Sequence, residues 1–245
     1  AFSGIGCPEM AASALATAAG RELFVFRHGI EHNNAARDFL SSHAPHIHLH
    51  RDILGWVPAT ALERILASPA DRLRSAVFDR RFRLRVVDRD GAPFQFGDCH
   101  VAGPPCVDFS PMGAGRRESG RSMICLYIWA RAVIEARPML LIVENVPRFP
   151  MDLLRSLFGN VYCIDRVILD ATIFGSPGRR RRLYAVLTLR GKLRLTRPVG
   201  ELVLVARDLF HVRRSWESLF CLPGQDDGFS NAVRKRVRDC LRLFK

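Results

Sequence analysis

The sequence predicts an α/β fold, a mostly parallel sheet covered by helices, on two observations. Short apolar strands alternate with helical stretches, and glycine-rich or rigid loops fall at the carboxyl ends of those strands. The opening Phe2-Ser3-Gly4-Ile5-Gly6 reads as a strand end turning through glycines into an Ala-rich helix from Met10 to Ala19. Leu23 to Phe26 follows as a short strand, Asn33 to Ser41 as a helix, and His46 to Leu49 as a strand before Asp52. Two helical stretches lie between Trp56 and Asp79, and Arg83 to Phe96 alternates around Asp90-Gly91 as a hairpin does, so that residues from about 56 to 97 read as an insertion. The pattern resumes with a strand to Ala102, a loop through Gly120, a helix from Met123 to Ala136 and a strongly apolar strand from Met139 to Val143. A helix from Met151 to Phe158 and strands from Val161 to Leu169 and Leu183 to Thr188 complete the predicted core. Beyond Arg190 the pattern weakens until a basic amphipathic helix opening at Asn231, with Val233, Val237, Leu241 and Phe244 at helical spacing.

Composition narrows the function classes. A chain of 245 residues with 48% hydrophobic content buries one main core. No stretch approaches the roughly 18 consecutive apolar residues of a membrane span, and Ala11 to Ala19 lacks the basic start of a secretory signal. The expectation is an intracellular protein, nuclear in a eukaryotic source and cytoplasmic in a bacterial one. Seven cysteines without repeated Cys-x-x-Cys pairs provide neither a disulfide framework nor a zinc module. His43, His46, His48 and His50 suggest no metal site either, because three of them share one face of a short strand without a fixed Cys or acid partner. The formal charge of +13 favours a polyanionic partner. The cations are nearly all Arg, with Lys only at Lys192, Lys235 and Lys245, and Arg suits bidentate phosphate contacts.

Several segments are candidates for chemistry. Gly4 and Gly6 at a strand-to-helix turn allow close approach of a nucleotide, with Phe2 able to pack on a purine. Glu31 after the second strand and Asp52 after the third stand where acids hydrogen-bond ribose and adenine in nucleotide-binding βαβ folds; either acid alone is more often a helix cap or a loop charge. In Gly103-Pro104-Pro105-Cys106, two prolines fix the backbone ahead of a thiol at the carboxyl end of a strand, a position for a nucleophile, although a lone cysteine is ordinarily structural. Glu144 closes the most apolar strand, where its carboxyl group either faces a pocket or caps the next helix. The run Arg179 to Arg182 precedes a strand, and alternation would point Arg180 and Arg182 the same way.

In this order the segments resemble the cytosine-C5 DNA methyltransferase family. The matching motifs are Phe2-Ser3-Gly4-Ile5-Gly6, Glu31 with Ala36, Asp52-Ile53, Gly103-Pro104-Pro105-Cys106 with Phe109-Ser110 and Gly113, Glu144-Asn145-Val146, and in part Gly178-Arg179-Arg180-Arg181-Arg182. The resemblance implies a doubly wound, mostly parallel Rossmann-like methyltransferase core, with a catalytic domain over residues 1–190, a short recognition region over 191–229 and a C-terminal helix over 230–245. It implies S-adenosylmethionine as methyl donor, held by Phe2, Ser3, Gly4, Ile5, Gly6, Glu31, His32, Asp52 and Ile53, with Asn231 and Val233 returning to the pocket. It implies double-stranded DNA with a flipped cytosine as partner, Cys106 as nucleophile, and Glu144, Arg180 and Arg182 as catalytic companions. Val107, Cys7 and Gly178 depart from the family pattern, and the recognition region is short. A non-catalytic DNA-binding homologue and an RNA cytosine methyltransferase are the alternatives.

Overall fold

The computed structural model describes residues 2, 25–43, 48–87, 91, 93–105, 109, 120 and 122–210. The architecture is mixed α/β, and the chain divides into two compact units, residues 1–168 with 182–200 and residues 169–181 with 201–245. Its elements run β1 (His28–Ile30), α1 (Asn34–His43), β2 (His48–His50), α2 (Ala59–Ala67), α3 (Leu73–Val77), β3 (Cys99–Ala102), α4 (Ser122–Ala136), β4 (Leu140–Asn145), α5 (Met151–Phe158), β5 (Tyr162–Asp170), β6 (Arg181–Leu189) and α6 (Val199–Phe210).

In the first unit, β1 and β2 pair in parallel, His28 opposite His48. A second sheet has the order β3-β4-β6-β5. There β3 and β4 are parallel, Ala102 opposite Val143, whereas β4 and β6 are antiparallel, Glu144 opposite Tyr184. Burial alternates along β4, with Leu141, Val143 and Asn145 inside, as a period-two strand requires. Helix α4 buries residues all round, Trp129 and Ile128 among them, so it lies in the core and not on a surface. It ends where Arg137 takes a left-handed φ of 53° ahead of Pro138, a residue that cannot continue a helix.

The segment predicted as an insertion packs into the core. Trp56, Ile65, Val77 and Phe94 are buried with α4 and the sheets in one cluster. Phe94 touches His28 and His50 of the small sheet, Trp56, and His100 of β3, with ring centroids 5.1–6.1 Å apart. Arg131 of α4 fastens the end of α3. Its guanidinium donates to the carbonyls of Val77 at 2.8 Å, Asp79 at 3.0 Å and Phe82 at 2.7 Å, pairs with Glu135 at 2.8 Å, and sits 4.5 Å from the Phe82 ring centroid.

The second unit, as described, holds a 3-10 turn at Ala171–Phe174. Asp170 caps it by accepting the Thr172 amide at 3.2 Å, and Gly175 closes it at a φ of 87°. That bond, with further hydrogen bonds from Arg180 and the Thr172 hydroxyl, holds the exposed Asp170 carboxyl below its ordinary range.

Four expectations shift. Of the strand expected at Leu23 to Phe26, the first two residues lie outside the described residues and Val25 and Phe26 are in no strand; the paired segment is His28–Ile30, which its histidine disguises in the sequence. The hairpin over Arg83 to Phe96 reduces, among the described residues, to one antiparallel bridge between Val87 and Pro93. Strand β4 runs on through Asn145, so Glu144 is a strand residue and not a helix cap. Helix α6, after Pro198, falls where the sequence pattern looked weak.

Two predictions follow from this packing. Arg131→Met strands three inward carbonyls and is expected to cost about 2–4 kcal/mol in chemical denaturation. His100 is buried and accepts the Trp129 indole N–H at 3.0 Å, and burial holds its pKa well below the ordinary 6.5. The unfolded chain therefore binds a proton before the folded one, so stability is complete above about pH 6.5 and falls as pH drops through that value, by up to about 1.4 kcal/mol per unit until the folded pKa is reached. His100→Gln keeps an acceptor but cannot titrate, and its denaturation midpoints across about pH 4 to 8, either side of the ordinary imidazole pKa, should show a shallower acid slope than the parent.

Candidate active site

The register of the four-stranded sheet brings three segments to one end. Because β3 and β4 run parallel, Gly103, which follows β3, lies beside Glu144 near the end of β4. Because β6 runs the opposite way, its start lies there too, and Arg182 is placed diagonally from Glu144 on the same face. The Arg182 Nε donates to Glu144 Oε1 at 2.8 Å, with the two side chains 25% and 35% exposed. That degree of exposure keeps the pair in contact with water, so it is worth at most about 1 kcal/mol to folding.

Gly103 is where backbone and carboxylate come closest. A Cβ there would lie 3.4 Å from Glu144 Oε2 and 3.8 Å from the Phe2 carbonyl oxygen, so glycine leaves the room through which β3 feeds the Pro104-Pro105 segment. Asn145, buried beside Glu144, donates from Nδ2 to the Pro104 carbonyl at 3.1 Å, and its Oδ1 accepts the Val146 amide at 2.9 Å. One side chain therefore ties the end of β4 to the loop that carries Cys106. The sequence marks Asn145 only as a member of the Glu144-Asn145-Val146 motif and assigns it no role, although a polar residue closing an apolar strand is a signal for one.

The second cluster lies past the small sheet. Glu31 is 8% exposed just beyond β1; its amide donates to the His50 carbonyl at 3.1 Å and its Oε1 accepts the Asn33 amide at 2.9 Å. The cap of α1 is Asn33, whose Oδ1 accepts the Ala36 amide at 3.0 Å, so Glu31 is not spent as the cap. His32 is exposed at 3.5 Å from the Glu31 carboxylate. Asp52 follows β2 and caps a 3-10 turn, taking the Leu54 amide at 2.9 Å, while Ile53 is buried. The Cys125 thiol is pushed up to about 11, by burial first and then by Asp52, which makes it a structural thiol.

Arg180 does not join Arg182 in the strand. It precedes β6, is exposed, and its amide donates to Asp170 Oδ1 at 3.2 Å. Ser3, Gly4, Ile5, Gly6, Cys106, Asn231 and Val233 lie outside the described residues. Among the described residues no group of His, Cys, Asp or Glu is arranged to hold a metal, and no helix is long and apolar enough to cross a membrane.

With this geometry in view, the likeness to known proteins is specific. Residues 60–206 match the model of the C-5 cytosine-specific DNA methylase family. The type II methyltransferase M.HgiDI of Herpetosiphon aurantiacus is 31% identical over 121 residues, 45% of this chain and 38% of that protein. M.HindV of Haemophilus influenzae is 33% identical over 101 residues, 39% of this chain and 32% of that one. The chain thus spans well under half the length of these curated relatives. Among solved structures, the S. pombe Dnmt2 methyltransferase superposes with a TM-score of 0.54 at 17% identity, covering 92% of this chain and 60% of that one. A putative DNA modification methyltransferase encoded within an E. coli prophage does so with a TM-score of 0.51 at 19% identity, covering 80% and 47%. The fold is shared with these methyltransferases.

Asn145→Ala leaves the buried Pro104 carbonyl without its donor and is expected to cost about 1–3 kcal/mol in urea denaturation, whereas Arg182→Ala should change stability by less than about 1 kcal/mol. Equal costs for the two would show that the loop is not held through Asn145.

Proposed function

Because the chain belongs to the C-5 cytosine-specific DNA methylase family, we propose that it transfers a methyl group to C5 of a cytosine in double-stranded DNA. The observation that carries this reading is the meeting, at one sheet end, of the Gly103–Pro105 lead into Cys106 with the Glu144–Arg182 pair. A stacked cytosine exposes neither face to attack, so the base is flipped into the site. The Cys106 thiolate adds to C6. Glu144 holds the N3/N4 edge and Arg182 the O2, drawing electron density from the ring so that C6 accepts the thiolate, and the addition leaves C5 as a nucleophilic enamine carbon. S-adenosylmethionine supplies the methyl group when bound. Loss of the C5 proton and breakage of the sulfur–C6 bond then return the free thiol. Asn145 acts as a positioning residue, through Pro104.

The donor set fits the cofactor. Glu31 and Asp52 stand past the ends of two neighbouring parallel strands, as acceptors for ribose hydroxyls and an adenine amine need to be. We assign Phe2 to the adenine face, with Ser3 to Gly6, His32 and Ile53 completing the pocket. The sheet is read as part of a doubly wound core over residues 1–190, with 191–229 contributing to recognition of DNA.

Tritiated methyl transfer from S-adenosylmethionine to DNA, with tRNA as a parallel substrate, tests this. DNA labelling is expected, with Cys106→Ser abolishing it and Glu144→Gln lowering it at least about 10²-fold. DNA containing 5-fluorocytosine should trap the parent covalently and not Cys106→Ser. Labelling that survives Cys106→Ser would overturn the nucleophile, and labelling of tRNA alone would overturn the substrate.

A further inference from the structure

The opposite end of the four-stranded sheet carries a second concave feature. Strand β6 leaves the sheet at Leu189 and turns at Gly191, whose φ of 72° suits glycine, with the amides of Lys192 and Leu193 donating to the Leu189 carbonyl at 3.1 and 3.0 Å. The loop onward to Pro198 walls a cavity of about 740 Å³, a volume typical of ligand sites. Its floor is aliphatic, built from Ile164 of β5, Val186 of β6 and Leu193 of the loop. Its rim carries Arg190, Lys192, Arg194 and Arg197, none of which pairs with a carboxylate among the described residues. Arg190 is anchored by donating from Nε to the Gly159 carbonyl at 3.1 Å. The acid on the wall, Asp165, is committed to backbone: its Oδ2 accepts the Val199 amide and its Oδ1 the Arg166 amide, each at 2.7 Å.

We propose that this trough binds a single-stranded stretch of nucleic acid, with phosphates on the four cations and bases against the aliphatic floor. Four cations within eight residues repel one another, and Asp165, the acid on the wall, pairs with none of them among the described residues, so the trough keeps an excess of positive charge and an anion is the complementary occupant. The floor decides which anion. Duplex DNA presents mainly phosphate and would leave the aliphatic surface unused, whereas a single strand presents a charged backbone and flat apolar bases together. Eight residues of β strand separate Arg182 from Arg190, about 26 Å, so one nucleotide cannot occupy both places. The assignment does not depend on methyl transfer at the other end.

Cys163 lines the trough and is a free, exposed thiol, so its alkylation in the full chain, followed on its own peptide by mass spectrometry, reads occupancy directly. An oligothymidylate of about twelve nucleotides is expected to slow that alkylation severalfold at low salt. A blunt duplex of the same length should not. In Lys192→Ala/Arg194→Ala/Arg197→Ala the protection should vanish, and the slope of log K for the oligonucleotide against log salt should fall by about 2. Arg197→Ala alone, a milder change to the loop, should lower that slope by about 0.7. Equal protection by the duplex, protection that persists in the triple variant, an unchanged slope in Arg197→Ala, or a Cys163 thiol already inert in the free chain would each overturn the assignment.

Discussion

The constraint on which the rest depends is the direction of β6. Parallel strands deliver only their carboxyl ends to one edge of a sheet, and a site built from β3 and β4 alone would hold Gly103 and Glu144 but no cation. Inserting β6 antiparallel beside β4, with Glu144 opposite Tyr184, brings an amino-terminal strand end to the same edge. That start is the arginine run. A one-residue slip of register would turn Arg182 to the other face and part it from Glu144, and the buried set Leu183, Ala185 and Leu187 on the opposite face is what forbids the slip.

Rigidity at this edge is supplied from behind. Helix α4 is buried on nearly all sides, and its Arg131 gathers three carbonyls from the turn after α3. A guanidinium suits this task because its planar fork satisfies several acceptors at once and stays charged, so the backbone there is neither left dry nor free to drift. Phe94 then links the small sheet to β3 through His28, His50 and His100. Of the histidine series from His43 to His50, His48 and His50 are residues of β2 whose rings pack edge to face with centroids 4.6 Å apart.

Much of this was legible beforehand because it rests on periodicity and on order. The strong strand through Val143, the helix at Met151 and the companions Gly103, Glu144 and Arg182 follow from apolar patterning and from glycine or charge at strand ends. What was not legible depends on contacts distant in sequence. No local signal marks His28-Gly29-Ile30 as a strand; its pairing with β2 makes it one. Likewise, the bond from the Leu54 amide to Asp52 is not marked in the sequence, and Asn145 gains meaning only through Pro104, forty-one positions away.

The Glu144–Arg182 pair shows how stability and function are divided at this site. Two side chains 35% and 25% exposed gain little from each other in water. A deeply buried pair would hold its geometry more firmly, but an arriving base edge would then have to break a desolvated contact costing several kcal/mol. Partial exposure keeps both groups in contact with water, so on the proposed reading an arriving base displaces water and not protein. Firmness is supplied instead by neutral groups around the pair: the Asn145 bonds, the Pro-Pro segment and the buried face of β6. On the proposed reading the charged partners exchange water for a base while Asn145 keeps its hold on the Pro104 carbonyl.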